Sequence, residues 1–186
     1  MRRIFISLCF GFVVILFAGT LYFLRGKQSA DPSDTFTIVA TTSSKTATAR
    51  QAPNDWREYR NVAYHFSLFY PPEFKVKEHS EGEGATTITF QNIQTGEGFQ
   101  IFILPYKEQQ ISEERFKRDV SSGIRKNMAD VTIDGVVGAT FYSTNVLLGE
   151  TAEVWFIKDG FLYEVTTLRS LDQWLSKIMQ TWLFIN

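Results

Sequence analysis

The chain holds one cysteine, Cys9, and two histidines, His65 and His79, among its 186 residues. A lone cysteine excludes an intrachain disulfide framework, so any folded part must stand on its own core. Two histidines and no second thiol do not supply the three or four nitrogen or sulfur ligands that a zinc site needs at short spacing. Basic charge is not in excess either: 19 Lys plus Arg stand against 20 Asp plus Glu, and from Asp55 onward thirteen oppose eighteen. That mildly acidic part has no basic stripe, which argues against nucleic acid and against anionic lipid as its ligand. Internal repeats are also lacking.

What is present begins with Ile4 to Leu24, a run without a charged residue, flanked by Arg2 and Arg3 and by Arg25 and Lys27. As a helix at about 1.5 Å per residue it spans roughly 31 Å, the thickness of a bilayer's hydrocarbon core. The run is longer than a secretory signal's apolar region, and the small-x-small cleavage sites are poor. Cleavage after Ala30 puts Gln28 where a small residue belongs, and Ala18-Gly19-Thr20 lies inside the run. Cys9 follows Leu8 and comes too early for a lipoprotein site. A retained signal anchor over residues 1–27 is therefore expected, single-pass in the cell membrane. The positive-inside rule places its N-terminus in the cytoplasm and the remainder outside.

Residues 28–54 turn to Ser, Thr and Ala, as in Thr41-Thr42-Ser43-Ser44, with nothing to bury, and read as a disordered tether. Its short alternating run Thr35–Val39 is kept within the tether. A flexible coil of that length reaches on the order of 30 Å. Residues 55–186 have the size of one ordinary domain, large enough for a core without staples.

Within that domain Tyr64, Phe66, Leu68 and Tyr70 alternate along a strand that Pro71-Pro72 stop. Phe74–Lys77 opens a second strand, Glu81-Gly82-Glu83-Gly84 a turn, and Thr86–Gln91 a third strand with Ile88 and Phe90 inward. After Gly96-Glu97-Gly98, Phe99–Leu104 is apolar on both faces, the mark of a central strand. Ser112 caps a helix, with Ile111 and Phe116 spaced as a hydrophobic staple. Phe116, Val120 and Ile124 form its narrow buried stripe, while Glu113, Glu114, Arg115, Lys117 and Arg118 face water. Strands follow over Val131–Ile133, Val136–Ser143, Thr151–Lys158 and Phe161–Leu168, the last pair joined by the hairpin turn Asp159-Gly160. A final helix is expected to start at Ser170 with Gln173 as a capping box and to present Leu171, Trp174, Leu175, Ile178, Met179 and Trp182 to the sheet. Strands, helix, strands, helix predicts an antiparallel α+β sandwich.

Tyr59-Arg60-Asn61, then Tyr64-His65-Phe66-Ser67-Leu68-Phe69-Tyr70-Pro71, then a C-terminal helix ending in Thr181-Trp182-Leu183-Phe184, resembles the PsbP-like family. That family includes extrinsic photosystem proteins and many membrane-anchored bacterial proteins. Phe74 stands where a Trp is common in it, and His65 where a Gly is common. The resemblance covers roughly Tyr59 to Asn186 and implies one antiparallel sheet sandwiched by helices. It carries no catalytic set and does not imply a photosynthetic role.

Reactive constellations are scarce. Ser121-Ser122-Gly123 falls in a helical pattern and not after a strand, unlike a nucleophile elbow. Gly96-Glu97-Gly98 lacks the third glycine and following helix of a dinucleotide loop. His79 with Glu78, Glu81 and Glu83 lacks the alternating Asp pattern of a calcium loop and fits a solvated hairpin tip. No metal, cofactor or catalytic residue is assigned. Trp155, Phe161 and Tyr163 around the Asp159-Gly160 hairpin either line a ligand groove or partner surface or fill the sheet–helix interface. His65 is either a surface or packed strand histidine or part of the same interaction surface. The expectation is a non-enzymatic, extracytoplasmic binding or interaction module whose partner is another envelope protein or a small ligand. The alternative is an envelope-associated hydrolase with an acid-based site.

Overall fold

β-Branched and aromatic residues alternate with polar ones through most of the C-terminal part, and the computed structural model turns that alternation into two antiparallel sheets. It describes residues 53–120 and 122–185. The expected anchor (1–27), the tether up to residue 52 and its Thr35–Val39 run lie outside the described residues. No helix among the described residues is long and apolar enough to cross a membrane.

The larger sheet has seven strands: β3 (Lys75–Gly82), β4 (Ala85–Gln91), β5 (Gly98–Pro105), β6 (Lys126–Ile133), β7 (Val136–Asn145), β8 (Gly149–Lys158) and β9 (Phe161–Leu168). Their spatial order is β3-β4-β5-β9-β8-β7-β6, antiparallel throughout. The smaller sheet pairs β1 (Arg57–Asn61) and β10 (Leu183–Phe184) on either side of β2 (Phe66–Tyr70). The single sheet implied by the resemblance is thus two sheets, because β2 takes its hydrogen bonds from β1 and from the chain's last residues instead of from β3. β5 is an interior strand, as its two apolar faces require.

Each face of the larger sheet is covered. Val154 and Phe156 of β8, Tyr163 and Val165 of β9, and Ile88, Phe90, Phe99 and Ile101 face β2 and helix α2 (Asp172–Met179), which contributes Leu175, Ile178 and Met179. Trp182, just past α2, stacks on Phe66 with ring centres 4.3 Å apart and meets Phe156 and Tyr163 edge-on. Trp155 and Phe141 lie on the opposite face under helix α1 (Glu113–Asp119), against Phe116 and Val120.

Three local expectations are corrected. α1 starts on its Ser112 cap as expected, the hydroxyl accepting from Arg115 N–H, but it ends at Asp119; Ile124 is beyond it and exposed. Arg115 is buried instead of facing water. The last helix has no Ser170 capping box: Arg169–Leu171 is a 3-10 turn, and α2 begins at Asp172 without a side-chain cap.

Register fixes what lies at each end of the larger sheet. One end carries the turns β3–β4 (Gly82–Ala85), β8–β9 (Asp159-Gly160) and β6–β7 (Asp134-Gly135). The β1–β2 turn joins them, since Tyr64 Oη lies 2.7 Å from Thr86 Oγ1. The other end carries the turns β4–β5 and β7–β8. Here too the chain enters the domain: Arg57 pairs with Tyr70, which leads through Pro71–Phe74 to Lys75, opposite Gln91.

The outer strands of the larger sheet are irregular. β3 exposes Lys75, Lys77, Glu78 and His79 and shifts register between Ser80 and Gly82. β6 begins at Lys126 and shifts register before Ala129, with Asn127 in the left-handed region at φ 53°.

Candidate functional site

Two features carry polar chemistry, and they lie on different parts of the fold. The first is a shallow cleft of about 380 Å³ at the turn-rich end, lined by Ala63, Tyr64, His65, Asp159, Phe161, Tyr163 and Ile185. The β1–β2 turn forms one wall. His65 sits there at φ 54°, a left-handed conformation that suits the glycine common at this place in the PsbP-like pattern. Its carbonyl accepts from Ile185 N–H at 2.9 Å, which holds the imidazole-bearing turn against the chain's end. The β8–β9 hairpin forms the other wall, with Asp159 and Gly160 at φ 50° and 80° as a type I′ turn demands. Tyr64 and Phe161 meet edge to face at 5.2 Å. Tyr163 donates to the Tyr64 carbonyl at 2.9 Å, and burial pushes its hydroxyl well above the ordinary phenol value, so it remains a neutral donor. Asp159 is paired with Lys158 at 2.9 Å.

Three of the residues singled out in the sequence, His65, Phe161 and Tyr163, therefore meet in one cleft. Trp155 does not join them: it is buried beneath α1 on the opposite face, stacked on Phe116 at 5.0 Å. Two of the acids around His79 are turned to other partners. Glu78 accepts from Tyr59 at 2.6 Å and Glu81 from Thr87 at 2.7 Å. No cluster of three or more His, Cys, Asp and Glu able to hold a metal occurs among the described residues.

The second feature is a set of buried acids beneath α1. Period-2 alternation places Thr151, Glu153 and Trp155 of β8 on this face, with Glu164 and Thr166 of β9 beside them. Glu153 Oε1 accepts from Thr151 at 2.6 Å and Ser143 at 3.0 Å; Oε2 accepts from Thr166 at 2.6 Å and the Trp155 indole at 3.4 Å. Ser143 and Thr151 are themselves 2.7 Å apart. Burial pushes the Glu153 carboxyl up, opposed by the hydroxyl donors, first Thr151, then Thr166 and Ser143. Glu164 lies 3.4 Å from the Arg115 guanidinium, which also pairs with Asp119 one turn along α1. Burial, then repulsion from Asp119, raises Glu164 well above the usual carboxylate range despite Arg115. One cation serves two carboxyls here, so Glu164 is only partly compensated and holds its proton more tightly than a free carboxyl does.

Sequence reasoning passed over these acids because a Glu alternating with apolar residues on a strand ordinarily marks a solvated face. Phe116 and Val120 on α1 were the signal that this face is covered.

No protein-family model matches the chain, and no curated protein matches it by sequence. Comparison with solved structures shows the fold. The solution structure of cyanobacterial PsbP (CyanoP) from Synechocystis sp. PCC 6803 superposes with a TM-score of 0.51 at 12% identity, covering 77% of this chain and 98% of that one. The domain has the PsbP-like fold.

Proposed function

We propose that the chain is a non-enzymatic binding or interaction module, anchored in the cell membrane by Ile4–Leu24 and displaying its domain on the extracytoplasmic side. The observation that carries the recognition role is the cleft of His65, Tyr64, Phe161 and Asp159, an aromatic wall with one imidazole and one carboxylate on a PsbP-like fold. Such a surface suits a segment of an envelope protein or a small amphipathic ligand. The buried acids do not favour the hydrolase alternative, since Glu153 and Glu164 are each only 6% exposed.

The test places a photo-activatable residue at His65 in the full chain in native membranes, with Val137, exposed on β7, as the control site. A discrete adduct from position 65 and none from 137 is expected. In parallel, the detergent-solubilised chain is screened by thermal shift against muropeptides, sugars and peptides. A ligand at a hundred times its Kd stabilises by about 2.7 kcal/mol. No adduct and no shift would overturn the binding role. Release of the chain by alkaline carbonate would overturn the anchoring.

A further inference from the structure

The large apolar side chains exposed on this domain are concentrated at one end. Val146, Leu147 and Leu148 form the tip of the β7–β8 hairpin and are 84%, 62% and 48% exposed. Ile93 in the β4–β5 turn is exposed at the same end, as are Ile124 and Met128 beside the start of β6, which pairs Lys126 with Tyr142. That is also the end at which the chain enters the domain from residues 1–52.

We infer that this end faces the bilayer and that the Val146-Leu147-Leu148 tip inserts into lipid. The inference rests on the anchored reading above. As a flexible coil, a tether from Leu24 reaches on the order of 30 Å, short enough for the end at which it attaches to meet the headgroups. The tip suits lipid chemically. It is convex and carries three consecutive aliphatics. Its Asn145 side-chain oxygen already accepts from the N–H groups of Leu147 and Leu148 at 2.9 and 3.1 Å, so these two donors need no water when the tip is buried. Three side chains on a hairpin are far less than the roughly 800 Å² per partner of a stable protein interface, whereas insertion into a bilayer has no such minimum area. Contact through aliphatics requires no anionic headgroup, in keeping with a mildly acidic domain. The cleft with His65 then points away from the membrane, open to a partner.

The test uses the full chain with Cys9→Ser and either Leu147→Cys or Val62→Cys, labelled with an environment-sensitive fluorophore and reconstituted into phosphatidylcholine vesicles. Val62 is exposed in the β1–β2 turn, at the opposite end. The expected result is a blue-shifted label at 147, quenched by spin-labelled lipid and shielded from aqueous iodide, with the reverse at 62. A chain that stays with the vesicles through alkaline carbonate yet leaves the 147 label open to iodide overturns the insertion and leaves the anchoring intact. Equal lipid quenching at both positions overturns the orientation. A chain stripped by carbonate overturns both.

Discussion

Replacing Glu164 by Gln should flatten the pH dependence of folding. Glu164 is 6% exposed, shares Arg115 with Asp119, and holds its proton well above the usual carboxylate range because of burial and the neighbouring acid. In the unfolded chain the same side chain titrates near its reference value of about 4.3. A carboxyl that binds its proton more tightly folded than unfolded contributes fully below the unfolded pKa. Its contribution is then lost as pH rises toward the folded value. Over that window the loss approaches about 1.4 kcal/mol per pH unit for each such proton. Glutamine keeps the shape and hydrogen-bonding capacity of the protonated acid but has nothing to release. Wild-type stability should therefore fall as pH rises above the unfolded carboxylate value, and E164Q should lose up to one proton's worth of that slope. Glu153, also raised by burial, leaves a residual slope in the variant. Urea unfolding of residues 53–186 at several pH values, followed by tryptophan fluorescence, reads this directly. Trp155 under α1 is well placed to report it. Parallel pH profiles for wild type and E164Q would refute the argument that Glu164 is the group holding the proton.

Substitutions at two further positions test how the two sheets are held together. Trp182→Ala removes a ring that stacks on Phe66 and touches Phe156 and Tyr163, and should cost about 3–5 kcal/mol by denaturant unfolding. Trp182→Phe should cost clearly less, because the indole N–H has no hydrogen-bond partner among the described residues. Thr181→Val should cost about 1–3 kcal/mol, since its hydroxyl donates to Ile178 O and accepts from Phe69 N–H, and valine can do neither. Hydrogen exchange at Phe69 should accelerate with it.

Most strands were legible in the sequence because their periodicity is strong and their turns are chemically marked. Asp159-Gly160, Asp134-Gly135 and Glu83-Gly84 all fall at turns, and Ile88, Phe90 and Phe99 all point inward. What was not legible depends on long-range pairing. β1, Arg57–Asn61, has largely polar side chains and becomes a strand only because β2 offers it a partner. β10 is two residues long and is fixed partly by Asp134, whose carboxylate accepts from Phe184 N–H at 2.8 Å. No periodicity is detectable over two residues. His65, Phe161 and Tyr163 were visible as an aromatic and imidazole set, but their meeting depends on the β1–β2 turn lying over the β8–β9 hairpin. Trp155 went to the other face because strand alternation separates it from Phe156 by half a turn of the pleat. The burial of Arg115 was hidden by its charge; on a covered face it is the counter-ion of the acids beneath it.

The irregular outer strands of the seven-stranded sheet bear on how any partner can attach. A flat, regular edge offers free N–H and C=O groups as a template for strand addition, whether by a peptide ligand or by a second copy of the chain. Here the charged side chains and register break of β3, and the register break before Ala129 in β6, spoil that template on both sides. Crowding many such domains on one surface therefore carries little risk of sheet-to-sheet polymerisation. Recognition is left to side chains and turns, which can be retuned one residue at a time without disturbing the backbone ladder that holds the domain together.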